Sequence, residues 1–73
     1  MDKLLWNANK TQVIKASLIK IVKLYHKTEE NMWKVMGSYT QEGEVNWFCF
    51  GAYKKETEAR ERLIEVVDAI NAV

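Results

Sequence analysis

The sequence predicts an α+β fold: an antiparallel β-meander of three to five strands with one C-terminal amphipathic helix packed on one sheet face. Three observations carry this expectation. Residues 32–53 hold two strand-like runs separated by Gln41-Glu42-Gly43-Glu44, a tight-turn sequence in which Gly43 can take positive φ. Residues 56–73 repeat apolar side chains at helical spacing. No proline is present to interrupt either pattern.

Taken in order, Lys3 to Trp6 is a short apolar run. Asn7-Ala8-Asn9-Lys10 after it reads as a turn, because asparagine bonds its own main chain and tolerates left-handed backbone. Thr11 to Ile14 then pairs back on the first run. Trp6 is expected as a core plug or an edge cover. Ser17 to Thr28 fits two patterns. Leu18, Ile21, Val22 and Tyr25 follow a helical repeat, whereas Leu18, Val22, Leu24 and His26 fit one face of a strand. High β-branched and aromatic content favours the strand. Thr28 to Asn31 is a short polar connection into Met32 to Thr40, where Trp33, Val35 and Tyr39 alternate with Lys34 and Ser38.

Val45 to Tyr53 breaks the alternation expected of a strand with one wet face. Trp47 and Cys49 point one way, and Phe48 and Phe50 the other. Such a strand wants cover on both sides. Beyond it, Glu56-Thr57-Glu58-Ala59 places acids and a capping hydroxyl at a helix start. Ala59, Leu63, Val66, Ile70 and Val73 form the helix stripe, widened by Ile64 and Val67.

Two-residue loops at Glu29-Glu30 and Glu42-Gly43 set a register with two distinct faces. His26 then lies opposite Trp33, Leu24 opposite Val35, and Val22 opposite Gly37. Across the next pair, Val35 faces Phe50 and Gly37 faces Phe48, leaving room for its ring. The helix-side face is therefore Val22, Leu24, His26, Trp33, Val35, Phe48 and Phe50. The other carries Ile21, Lys23, Tyr25, Lys34, Met36, Trp47 and Cys49. A loop one residue longer would exchange the two, because the strand period is two.

At 73 residues the chain is one domain, 1–73, and small for a self-sufficient core. One cysteine and one histidine supply neither an internal disulfide nor a four-ligand zinc site. Packing and self-association remain as sources of stability. Net charge is +1, but it divides unevenly. Residues 1–34 carry seven lysines against three acids, and residues 35–73 carry four basic groups against seven acids. An asymmetry of this kind steers charged partners. No apolar run is long enough to span a membrane, and no secretory leader is recognisable, so a reducing cytoplasm is the expected compartment.

An enzyme is not expected. The three glycines are scattered, so no phosphate loop exists, and the register puts His26 and Cys49 on opposite faces. No cofactor is expected. The candidate interface or ligand residues are Lys23, Tyr25, Lys34, Met36, Trp47 and Cys49. Aromatics bordered by lysine on a sheet suit a subunit seam, a protein partner, or a small anionic ligand whose ring is sandwiched while lysines hold its phosphates. Single-stranded nucleic acid can be held in the same way, although neither the charge balance nor the acidic helix favours it.

The segments L-W-N-A-N-K, V-I-K-A-S-L-I-K-I and M-W-K-V, with Glu58-Ala59 opening the helix, resemble a diffuse class of short bacterial and phage proteins. These combine a β-meander with a terminal helix. Where that class has the usual capping Ser or Thr, this chain has Lys55. The resemblance implies a phage-type inhibitor of host defence, which either binds a protein target or sequesters a nucleotide-like signal as a homo-oligomer.

Overall fold

A computed structural model describes residues 2–72. Its elements are β1 (Leu4–Trp6), β2 (Val13–Lys15), a 3-10 turn (Ala16–Leu18), β3 (Ile21–Lys27), β4 (Met32–Gln41), β5 (Glu44–Tyr53) and α1 (Glu56–Asn71). β1 and β2 form a separate hairpin, and β3-β4-β5 form a three-stranded antiparallel meander. The expected α+β meander with a C-terminal helix is the observed architecture.

Local chemistry explains most boundaries. In the first hairpin, Asn7 Oδ1 accepts from the amides of Thr11 and Gln12, which closes the turn. The left-handed residue there is Lys10, at φ 57°, and not an asparagine. Leu5 pairs with Ile14, and both are buried, while Trp6 is 51% exposed and so is no core plug. The ambiguous segment resolves into two pieces. Ser17 and Leu18 lie in the 3-10 turn, and the strand begins at Ile21.

The meander keeps the expected register on its first side: His26 opposite Trp33, Leu24 opposite Val35, Val22 opposite Gly37. Pairing ends at Lys27 and Met32, so the connection is Thr28 to Asn31, with Asn31 at φ 51°. The second turn is Glu42-Gly43, both at positive φ, as a two-residue hairpin loop with right-handed twist requires. Gly37 faces Phe48 as expected, but a β-bulge between Val35 and Met36 shifts the pairing beyond it. Val35 therefore lies opposite Gly51 instead of Phe50.

The bulge aims Phe50 inward without a cross-strand partner. Its ring lies over Gly37, where Phe48 was expected. A Cβ built on Gly37 would stand 2.6 Å from Phe50 Cε2 and 3.1 Å from Ile19 Cγ2. Gly37→Ala is therefore expected to cost about 1–3 kcal/mol through overpacking, measurable as a lower midpoint in urea with an unchanged slope.

The core lies between the meander and α1. It contains Val35, Phe48 and Phe50 from the sheet, Ala59, Val66 and Ala69 from the helix, and Leu5, Ile14, Ala16 and Ile19 from the N-terminal segment. Leu63 and Ile70 are partly buried against it. Ile64 and Val67, expected to widen the buried stripe, are 59% and 38% exposed. At about 100° per residue, Ile64 points away from the buried Ala59 and Val66, and Val67 lies at the flank. Val73 lies outside the described residues.

Thr57 does not cap α1. The N-cap is Lys55, which has extended backbone and no side-chain capping bond, and the first turn relies on Glu56 and Glu58 to complement the helix dipole. Lys55→Ser is expected to raise stability by about 1 kcal/mol, read as an increase in Tm.

Candidate binding face

Among the described residues, nothing forms a second layer on the opposite side of the meander. Register places its residues in rows across the three strands. Ile21, Ser38 and Trp47 form one row, Lys23, Met36 and Cys49 the next, and Tyr25, Lys34 and Ala52 the third. All six candidate residues therefore share one face, divided two to a strand.

The face stays open because the N-terminal hairpin goes elsewhere. Leu5 and Ile14 draw it to the helix side, into the common core. Arg62 of α1 holds it there: Nη2 donates to the Trp6 carbonyl at 3.1 Å, Nε to the Phe50 carbonyl at 3.3 Å, and Nη1 to Glu65 at 3.0 Å. The hairpin turn also touches the outer edge of β5, where the Ala8 amide donates to the Cys49 carbonyl at 2.9 Å.

What remains uncovered is apolar and basic. Ile21 is 59% exposed, Val45 66%, Tyr25 45% and Trp47 43%; Lys34, Met36 and Cys49 are half-buried. Trp47 reaches diagonally across the small Ser38 row, and Lys23 Nζ lies 4.4 Å above its ring, with Tyr25 5.8 Å away. An exposed cation–π pair of this kind contributes about 0.5–1 kcal/mol and holds both side chains in place. Ser38 is itself buried, with Oγ accepting from the Ile21 amide.

Lys23 and Lys34 make no ion pair among the described residues; the bridges are Lys27–Glu30, Arg60–Glu56 and Arg62–Glu65. The Glu30 carboxyl is held below its ordinary range, first by its hydrogen bond from Lys27, then by Lys27's charge, with Lys34's charge adding to these. Lys34 therefore contributes to the field at this end of the sheet without being fixed by a partner. The free edge of β3 carries Lys23 and Lys27, which discourages strand addition there.

A cleft of about 320 Å³ opens where the face meets the N-terminal hairpin; Lys34, Trp47 and Cys49 line it together with Asn9 and Gln12. Asn7 and Ala8 line it too, and none of these four hairpin residues was expected at the site. Their approach depends on Arg62 and the β5 edge, contacts between segments far apart in sequence, which no local pattern signals. Ile21 was placed on this face but not among the candidates, and Val45 was not assigned to it.

Outside this face, His26 stacks on Trp33 with ring centroids 3.9 Å apart and planes 2° apart, on the helix side. It lies across the sheet from Cys49, so the two form no Cys–His pair. Among the described residues no group of three His, Cys, Asp or Glu side chains could hold a metal ion. No helix among them is long and apolar enough to cross a membrane. The chain matches no family model, no curated protein and no solved structure.

Proposed function

We propose that this is a non-enzymatic binding protein that acts as a homo-oligomer, with the uncovered face of the meander as its working surface. The observation that supports it is the Lys23–Trp47 pair, set among exposed Ile21, Tyr25 and Val45 beside a Lys34 without an ion-pair partner among the described residues. Large apolar groups in one exposed patch mark an interaction surface, and lysines around them select partners that combine acid with apolar or aromatic groups. An acidic protein surface meets that description. The sequence resemblance extends this proposal to a phage-type inhibitor of host defence whose assembled form binds a host protein.

The cleft beside Lys34 and Trp47 favours a second form of the same activity. Its volume suits a mononucleotide-sized ligand, with the base against Trp47 and phosphate near Lys34. The protein would then sequester an anionic signal.

Light scattering coupled to gel filtration tests the first part. An oligomer at micromolar concentration is expected, and a monomer at every concentration overturns it. Native mass spectrometry of protein purified from cells separates the two forms of binding. A nucleotide-sized mass retained by the wild type and lost in Lys34→Glu supports sequestration. A ligand-free oligomer that captures a host protein supports the protein-binding form.

A further inference from the structure

Two surfaces of this molecule are left without a partner, and they match each other. One is the basic, apolar sheet face. The other is the outer side of α1. With about 100° per residue, Thr57, Glu61, Ile64, Asp68 and Asn71 fall in one row opposite the buried Ala59, Val66 and Ala69. All five are exposed; Ile64 is 59% exposed and Val67, at the row's flank, 38%. Glu61 and Asp68 make no ion pair among the described residues, unlike Glu56 and Glu65.

We infer that the occupant of the sheet face is the outer side of α1 from a second copy of this chain. This deepens the proposed function and rests on it, because it names the partner of the same face. Ile64 would sit over Met36 and Tyr25, between Lys23 and Lys34, with Glu61 and Asp68 reaching those two lysines. The spacings agree. Seven residues along a helix separate the two acids by about 10 Å. Lys23 and Lys34 are diagonal neighbours on paired strands, with backbones about 7–8 Å apart, and each carries a long flexible stem.

Charge chooses between this arrangement and a symmetric one. Packing the sheet face on its own copy would set lysine against lysine, whereas packing it on α1 sets lysine against glutamate and aspartate. The result is a head-to-tail contact, which uses two different surfaces of each subunit and generates a ring where the rotation closes or a filament where it does not. It also gives each helix a sheet on both sides and covers Ile64 and Val67, which the monomer leaves in water. The chain exposes 5211 Å², about a tenth more than a folded monomer of this mass is expected to.

Charge reversal tests the inference. Glu61→Lys with Asp68→Lys, and separately Lys23→Glu with Lys34→Glu, change only side chains at exposed or half-buried surface positions; circular dichroism and thermal melts check that each variant folds. Each is expected to weaken self-association about tenfold or more in light-scattering titrations, and an equimolar mixture of the two is expected to associate again. Self-association that survives the helix reversal but is lost in the sheet reversal would overturn the head-to-tail contact while leaving the sheet face as the working surface. Failure of the mixture to associate would also overturn it. A wild-type chain that stays monomeric at hundreds of micromolar would overturn both the contact and the oligomeric binding protein it rests on.

Discussion

Phe48→Ala is expected to destabilise the fold by about 3–5 kcal/mol, and Trp47→Ala, one residue away, by no more than about 1 kcal/mol. The two side chains leave β5 on opposite sides. Phe48 is 8% exposed, with its ring centroid 5.0 Å from that of Phe50 and 6.4 Å from that of Tyr39, so its removal leaves a cavity in the core. At roughly 0.05–0.15 kcal/mol per residue, that loss is a large share of the stability a 73-residue domain has. Trp47 is 43% exposed, and its contact with Lys23 is worth little to the monomer. Its loss is expected in association instead. Urea titrations and light scattering on both variants separate the effects, and equal loss of folding from the two substitutions would contradict the two-faced sheet.

Arg62→Met is expected to cost about 2–3 kcal/mol, since hydrogen bonds from a charged donor contribute about 1.5–3 kcal/mol and two carbonyls lose theirs. Arg62 joins three parts of the molecule: α1, the bulged end of β5 through the Phe50 carbonyl, and the N-terminal hairpin through the Trp6 carbonyl. Methionine keeps the apolar stem and removes the donors. Arg62→Lys is expected to recover only a minor part, because one ammonium cannot reproduce the planar fork that reaches Trp6, Phe50 and Glu65 together. The N-terminal hairpin should open first. The Ala8 amide, bonded to the Cys49 carbonyl, is expected to exchange with solvent faster in Arg62→Met, while amides in the middle of β4 follow only the change in global stability. Unchanged protection at Ala8 would show that Leu5 and Ile14 alone hold the hairpin.

The readable parts of this fold are those set by short-range pairing. The connection around Glu29-Glu30 fixes His26 opposite Trp33, and the Glu42-Gly43 turn fixes Gly37 opposite Phe48, so the sorting of side chains into two faces follows from neighbours in sequence. The helix was legible from the Ala59–Leu63–Val66–Ile70 spacing, and all six candidate residues fall on one face. The unreadable parts depend on packing between distant segments. The bulge at Val35 and Met36 exists where Phe50 turns into the core over Gly37, and an even alternation cannot signal it. Nothing near Arg62 in the sequence signals its role, because its partner, Trp6, is 56 residues away. Ile64 and Val67 are apolar neighbours of the core stripe in sequence, but the helical phase turns Ile64 opposite Ala59 and Val66 and leaves Val67 at the flank. The Lys23–Trp47 contact crosses from β3 to β5 over the small Ser38 row, so neither side chain's sequence neighbours reveal it.

Cys49 offers the most direct test of whether the open sheet face is the surface this protein works through. It is the chain's one cysteine, free and half-buried on the β5 side of that face, in the same row as Lys23 and Met36. The rate at which a small alkylating reagent modifies it should be measured across protein concentration, in the wild type and in Trp47→Ala. In the wild type the rate is expected to fall as the subunits assemble and cover the face, and in Trp47→Ala it is expected to stay at the dilute-protein value. A rate that is the same at every concentration in both proteins, or protection that persists without Trp47, would contradict the assignment of this face as the interface.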